Sequence, residues 1–220
     1  MAVFESIKEN VVSEFKNKVD ITISTYNELL IIVKDKTDLV RVCIFLKKGV
    51  VDSFCFEQLI DVCGIDYLHY GFDDRQIDDS VYNGVPLPER VHKNSFETRF
   101  AVVYHLSSLS YNCRVRLRVF AGAESPSVPS IMSIWPVADW YEREVFDLFG
   151  IEFIGHTNLC RILTDYGFRD FPLRKDFPLV GESEIFYDVK KARLSYKKTN
   201  VGLRRVIPKI IISTKALNNR

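Results

Sequence analysis

Glu144 and Asp147 lie three residues apart. On a helix that spacing puts both carboxylates on one face. Such a pair can pass a proton, or hold a metal when a histidine stands beside it. His156 follows, and a histidine changes charge near neutral pH. Together these residues define the catalytic reading: a hydrolase built on Glu144, Asp147 and His156. Two observations oppose it. No E-x-x-H motif is present, and His156 must fold back to reach the carboxylates. The five cysteines, Cys43, Cys55, Cys63, Cys113 and Cys160, form no C-x-x-C pair, so neither zinc nor iron–sulfur ligation is supported. The carboxylates lie among cations instead. Glu142, Arg143, Glu144 and Asp147 are followed by Arg161, Arg174, Lys175 and Asp176. We expect these residues, with His156, to form structural ion pairs or contacts between subunits, with no catalytic, cofactor or metal role. Buried pairs of this kind add little net stability, but removing one partner costs about 3–5 kcal/mol.

The elements around them follow from local pattern. Asp139 precedes Glu142 by three, a D-x-x-E capping pattern that predicts a helix opening at Trp140. Glu142 and Glu144 suit the positive end of its dipole. Arg143 and Asp147 are four apart and can pair on one face. Tyr141, Val145, Leu148 and Phe149 form the apolar stripe, and Gly150 is placed to end the helix in a left-handed conformation. Ile151 to Ile154 predicts a brief strand. Pro172 and Pro178 bias Phe171 and Phe177 toward extended geometry, so Arg174-Lys175-Asp176 is expected on an extended strap.

Upstream, Phe4, Ile7, Val11, Phe15 and Val19 recur at three and four, as on an amphipathic helix. Asp20 to Ser24 alternates like a half-buried strand, Asn27 and Glu28 suit a turn, and Leu29 to Val33 reads as an apolar strand. Asp38 can cap a second helix carrying Leu39, Val42, Cys43 and Leu46, stopped by Gly49. Phe54 to Tyr67 suggests a short helix entering a strand. Gly71 to Asn94 is polar and carries Gly84, Pro86 and Pro88, so it reads as an exposed loop or insertion. Phe100 to His105 and Arg114 to Phe120 predict an antiparallel pair, with Arg114, Arg116 and Arg118 on one side and Val115, Leu117 and Val119 on the other. Ala121 to Ser130 reads as a loop. The expected fold is α+β: a two-layer domain with helices packed on a mixed, mainly antiparallel sheet. Residues 1–155 form this core domain, and 156–220 form an extended C-terminal strap and basic tail.

The 220 residues, 47% hydrophobic and 27% charged, have the composition of a soluble globular protein that can bury a sizeable core. No apolar run approaches the roughly 18 residues that cross a bilayer. The first residues show neither a basic leader nor an apolar signal core, which predicts free thiols in a reducing compartment. The net charge of +1 conceals an asymmetry: no Asp or Glu follows Asp188, while Lys and Arg recur from Lys190 to Arg220. That tail could act as an interaction arm or simply stay solvated.

Several blocks are similar to one family. Glu142-Arg143-Glu144, Asp147, Gly150, His156, Arg161 to Phe168 and Pro172 to Leu179 resemble the signature of the 30 kDa subunit family of respiratory complex I, the NADH:ubiquinone oxidoreductase. Asp61 to Tyr67, Phe100 to Leu106 and Tyr187-Asp188 with Lys190-Lys191 resemble further blocks, so the similarity runs from Leu39 to Lys191. Cys160, Asp170-Phe171-Pro172 and the basic Thr199 to Arg220 depart from the pattern. The resemblance implies a cofactor-free scaffold subunit of the peripheral arm that braces the hydrogenase-like quinone-site subunit within a hetero-oligomer. It binds no nucleic acid and meets the membrane only through the complex. It also implies a place on the matrix side of the mitochondrial inner membrane, or on the cytoplasmic membrane face in a prokaryote. The alternative is an RNA- or anionic-lipid-binding module using the basic tail.

Overall fold

The computed structural model describes residues 2–23, 28–49, 54–68, 70, 99–178, 181 and 183–199. The expected 71–94 loop and most of the 199–220 tail lie outside the described residues. Helix α1 (Ala2–Phe15) buries Phe4, Ile7, Val11 and Phe15. It stops earlier than its apolar spacing suggests. A 3-10 turn at Lys16–Lys18 intervenes, with Lys16 at φ 46, and Val19 opens β1 (Val19–Ile23). Next come β2 (Leu29–Val33) and α2 (Leu39–Lys48), which buries Leu39, Val42, Cys43 and Leu46 and ends on Gly49. Asp38 does not cap this helix through its side chain; Lys18 takes its carboxylate at 2.6 Å.

Among the described residues, the short helix expected from Phe54 is absent. Phe54 and Phe56 are buried, and β3 (Gln58–Asp66) is strand throughout. Gly64 lets it lie flat under α3 (Ala138–Phe149): a Cβ there would come within 2.5 Å of the Phe149 ring. β4 (Phe100–Ser108) and β5 (Cys113–Gly122) form the expected antiparallel pair. The segment read as a loop contains β6 (Ser127–Pro129), which pairs in parallel with β7 (Glu152–Ile154).

The main sheet has five strands in the order β1-β2-β5-β4-β3. It is α+β, mixed and mainly antiparallel, with β2 and β5 as the parallel pair. Alternation sends Val115, Leu117 and Val119 into one core with α1, α2 and α3, and Arg114, Arg116 and Arg118 to the opposite side. Arg116 there pairs with Glu28 at 2.8 Å. No described helix is long and apolar enough to cross a membrane.

The chain from 161 to 178 is not an extended ribbon. It is a run of bends and turns, in which Arg174 donates its amide to Phe171 and Phe177 donates to Arg174. Carboxylates projecting from the core curl it by drawing its backbone amides inward, a force that the proline pattern does not report. A hairpin follows, β8 (Ser183–Asp188) and β9 (Arg193–Lys198).

Candidate functional site

The charged residues gather where α3 meets the turns after it. Gly150 ends α3 at φ 71 and ψ 29, and its amide donates to Phe146 at 2.8 Å. The other end departs from expectation. The helix opens at Ala138, Val137 stands at the cap, and no side chain caps it. Asp139 instead meets His156, whose Nε2 lies 3.1 Å from Oδ1 and 3.2 Å from the Asp139 carbonyl. The Asn158 amide donates to His156 Nδ1 at 3.0 Å, so the ring carries its proton on Nε2. The imidazole is fully buried.

Glu142 is also fully buried. Ser130 Oγ donates to it at 2.6 Å and the Ile131 amide at 2.8 Å. Burial pushes its carboxyl up, against those two hydrogen bonds and nearby His156. The helix therefore uses this glutamate to tie down the chain entering it, not to complement its dipole.

Asp147 does not pair with Arg143. Its carboxylate faces the strap and is completely enclosed. Arg161 Nη1 donates to Oδ1 at 2.8 Å. The amides of Ile162, Leu163 and Thr164 donate to Oδ2 at 3.0, 2.7 and 2.8 Å, and the Thr164 hydroxyl donates to Oδ1. Three consecutive amides converging on one anion form a nest. Burial pushes the Asp147 carboxyl up, but these donors outweigh it and hold it well below the ordinary carboxylate range. Arg143 turns instead to the Cys160 and Arg161 carbonyls, at 3.2 and 3.3 Å.

A second clamp lies at the end of β3. Asp66 takes the Arg99 guanidinium in a two-point contact at 2.9 and 2.7 Å, the Leu68 amide at 2.9 Å and the Lys175 amide at 2.9 Å. Arg99 also holds Asp176, at 2.8 Å. Arg174 Nε donates to the Phe149 carbonyl at 2.6 Å, and its guanidinium lies over the rings of Phe171 and Phe100 at 4.3 and 5.0 Å. Lys175 contributes its backbone, with its side chain exposed.

The structure thus unites Arg143, Asp147 and Arg161 in one clamp, and Arg174, Lys175 and Asp176 in another. Glu144 joins neither, and its side chain has no hydrogen bond or ion pair among the described residues. Glu144, Asp147 and His156 do not converge on a common point: Asp147 faces 161–164 and His156 faces Asp139. No group of His, Cys, Asp and Glu suited to a metal ion occurs among the described residues. Sequence reasoning missed Asp66, Arg99, Thr164 and Ser130. Their partners are distant in the chain, as with Asp66 and Arg99, and no local spacing marks them.

This geometry can be set beside known proteins. Residues 32–183 match the family described as respiratory-chain NADH dehydrogenase, 30 Kd subunit. The chain belongs to the 30 kDa subunit family of respiratory NADH dehydrogenase. It is therefore a subunit of a multi-subunit enzyme and works as part of a hetero-oligomer. An NADH-quinone oxidoreductase subunit of Coxiella burnetii (strain Dugway 5J108-111) is 45% identical over 180 residues, covering 80% of this chain and 78% of that protein. The counterpart in Legionella pneumophila (strain Corby), also an NADH-quinone oxidoreductase subunit, is 40% identical over 211 residues, covering 94% and 92%. Among solved structures, a trypsin-resistant fragment (1-134) of Nqo5 superposes with a TM-score of 0.52 at 28% identity, covering 71% of this chain and 99% of that one. A chain of the membrane-bound sulfane sulfur reductase, an archaeal respiratory membrane complex, shares the fold, with a TM-score of 0.56 at 19% identity over 80% of this chain and 85% of that one. Both clamps draw on the matched 30 kDa segment, which ends at 183.

Proposed function

We propose that this 30 kDa-family chain is a cofactor-free scaffold of the peripheral arm of a proton-pumping NADH:quinone oxidoreductase. In this reading it braces the hydrogenase-like quinone-site subunit while electrons pass through groups held elsewhere. The observation that carries the reading is the double clamp. Asp66, Asp147, Arg99, Arg161 and Arg174 spend their charge inside the chain to fix a segment that has no core of its own. The side chains left exposed on that segment include the apolar Leu163, Leu173 and Tyr166, the last 83% exposed, beside the charged Asp165, Arg169, Asp170 and Lys175. A rigid backbone presenting apolar groups is preorganised to hold a neighbour at low entropic cost. The buried ions shape the strap, and its exposed apolar groups, with the charged residues between them, are left to make the contact.

We also read residues 1–155 as one folding unit and 156–220 as strap and tail. The trypsin-resistant Nqo5 fragment that covers 71% of the chain supports that division. The Coxiella and Legionella relatives are bacterial, which supports the cytoplasmic membrane face as the site of assembly; a chain encoded in a mitochondrion would sit on the matrix side of the inner membrane.

Affinity purification of the tagged chain from gently solubilised membranes tests the scaffold role. Recovery of an assembly that oxidises NADH and reduces quinone is expected, with Arg174→Ala lowering its yield. A chain recovered only as a free monomer, or an unchanged yield of active complex in Arg174→Ala, would overturn it.

A further inference from the structure

The β8–β9 hairpin has two faces of opposite character. Successive residues of a strand point to opposite sides. Across the register, Ile185 stands opposite Tyr196 and Tyr187 opposite Leu194. These four side chains therefore share one face. The other face carries Glu184 opposite Lys197, paired at 2.8 Å, Asp188 opposite Arg193, and between them a single apolar group, Phe186, which stands opposite Ser195 under the Lys197 ammonium. In a folded domain the apolar face would turn inward. Here it is open: Ile185 is 52% exposed, Tyr187 58%, Leu194 68% and Tyr196 64%.

An isolated two-stranded hairpin is at best marginally stable in water. Such a hairpin is held more firmly when its apolar face is packed against another element. We propose that the face of Ile185, Tyr187, Leu194 and Tyr196 is a docking surface for a different protein subunit, one that offers an apolar strip edged by carboxylates. The inference rests on the reading that the chain works as a scaffold, and it specifies where and how a partner is held.

Charge selects the rim. Lys190, Arg193 and Lys198 have no ion-pair partner among the described residues, and they border the hairpin at its turn and its open end. A partner with carboxylates at the edge of its apolar strip satisfies them, which sets register more than affinity. The same cations argue against a second copy, whose own Lys190, Arg193 and Lys198 would meet them with like charge. Six residues at about 3.3 Å along the strands, on a face about 10 Å wide, give roughly 200 Å². A stable two-chain contact buries about 800 Å² on each side. The face must therefore be one part of a larger surface. The Tyr196 hydroxyl donates to Asp165 at 3.0 Å, which joins the hairpin to the strap beside exposed Tyr166. That carboxylate at the margin also disfavours an anionic lipid surface as the occupant. Tyrosines suit a protein contact, since each gives a broad apolar face and a hydroxyl for the wet rim.

The test is photo-crosslinking in the assembled complex. A benzophenone amino acid is placed at Leu194 and, separately, at exposed Leu109 on the β4–β5 turn as a reference. The Leu194 probe is expected to link to one different subunit, and the link should disappear when the complex is dissociated. A second measurement uses Tyr187→Glu combined with Leu194→Glu, with sheet-domain folding followed by circular dichroism. At least a tenfold loss of the chain from the complex is expected, with the fold retained. A Leu194 probe that labels only a second copy, lipid or nothing in a complex containing the chain would overturn this inference and leave the scaffold reading standing. A chain absent from every complex would remove both.

Discussion

Arg161 reaches back to the last turn of α3, where its Nη1 lies 2.8 Å from Asp147 Oδ1. The same carboxylate collects the amides of Ile162, Leu163 and Thr164. One enclosed anion therefore sets the path of four consecutive residues. A strap without its own core gains a fixed shape, because leaving that anion undersatisfied would cost more than bending the chain.

Asp147→Asn puts an amide nitrogen where an oxygen had accepted, and leaves the Arg161 charge without its partner. We expect a loss of about 3–5 kcal/mol, the usual cost of breaking a buried pair, read as a lower urea midpoint. The pH dependence follows from the depressed folded value. Asp147 contributes its stability in full above its unfolded value of 3.8, because over the interval between that value and the lower folded one the folded state holds fewer protons than the unfolded state. That contribution is lost as pH falls from 3.8 toward the folded value. The wild type should weaken steeply below pH 3.8, and Asp147→Asn should show a shallower acid limb. Equal slopes in the two proteins would contradict the nest.

Gly150→Ala tests the junction between helix and strap. The residue sits at φ 71, and an added Cβ would lie 2.5 Å from Arg174 Nη2 and 2.6 Å from the Phe171 ring. The left-handed backbone alone costs about 1 kcal/mol for a residue bearing a Cβ. The contact must also displace the Arg174 stack. We expect a thermal midpoint lowered by several degrees and faster trypsin cleavage after Arg169 or Arg174, with the β-sheet signal intact. Unaltered cleavage would show that the strap does not depend on this close approach.

Much of the sheet domain was legible because its signals are local. Leu29 to Val33 reads as a strand from five apolar residues in a row, and β2 has those bounds. Leu39, Val42, Cys43 and Leu46 repeat at helical spacing and are the buried face of α2. Gly150 was placed correctly because one conformational need singles out glycine. The site was less legible. Asp139 fits a capping pattern, yet its carboxylate goes to His156, a partner that no local rule predicts. Arg143 and Asp147 have ideal spacing for a pair, but the strap offers Asp147 three amides and a guanidinium, which Arg143 alone cannot match, and it offers Arg143 two carbonyls instead. Asp66 and Arg99 carry the second clamp across a long separation, and one sequence holds no sign of that pairing. The hairpin escaped notice because its basic residues read as the start of a charged tail.

Arg174→Lys separates charge from shape. Arginine spans two aromatic rings while donating to the Phe149 carbonyl. Lysine keeps the charge but not the planar stacking group. A loss of about 1–2 kcal/mol is expected from two cation–π contacts and one charged hydrogen bond. Chemical denaturation of the two proteins would measure it, and a neutral result would assign the role to charge alone.

Glu142 behaves in the opposite sense to Asp147, and Glu142→Gln exposes the difference. Burial raises the folded carboxyl above its ordinary value of 4.5. The folded state therefore binds more protons than the unfolded state over the interval between the two values. The stability associated with protonated Glu142 is complete below pH 4.5 and is lost as pH rises through the folded value. Glutamine cannot ionise, and its Oε1 can still accept from the Ile131 amide while its Nε2 donates to Ser130 Oγ. The stability of Glu142→Gln relative to wild type should therefore increase as pH rises from 4.5 and then level off. Glu142→Ala gives the contrasting result, because it strands the Ile131 amide in the core at a cost of about 1–3 kcal/mol at every pH. Denaturation midpoints for the three proteins between pH 4 and 8 decide the matter, and a glutamine variant whose relative stability falls with pH would show that the ionised carboxylate, not the acid, is the form the fold prefers.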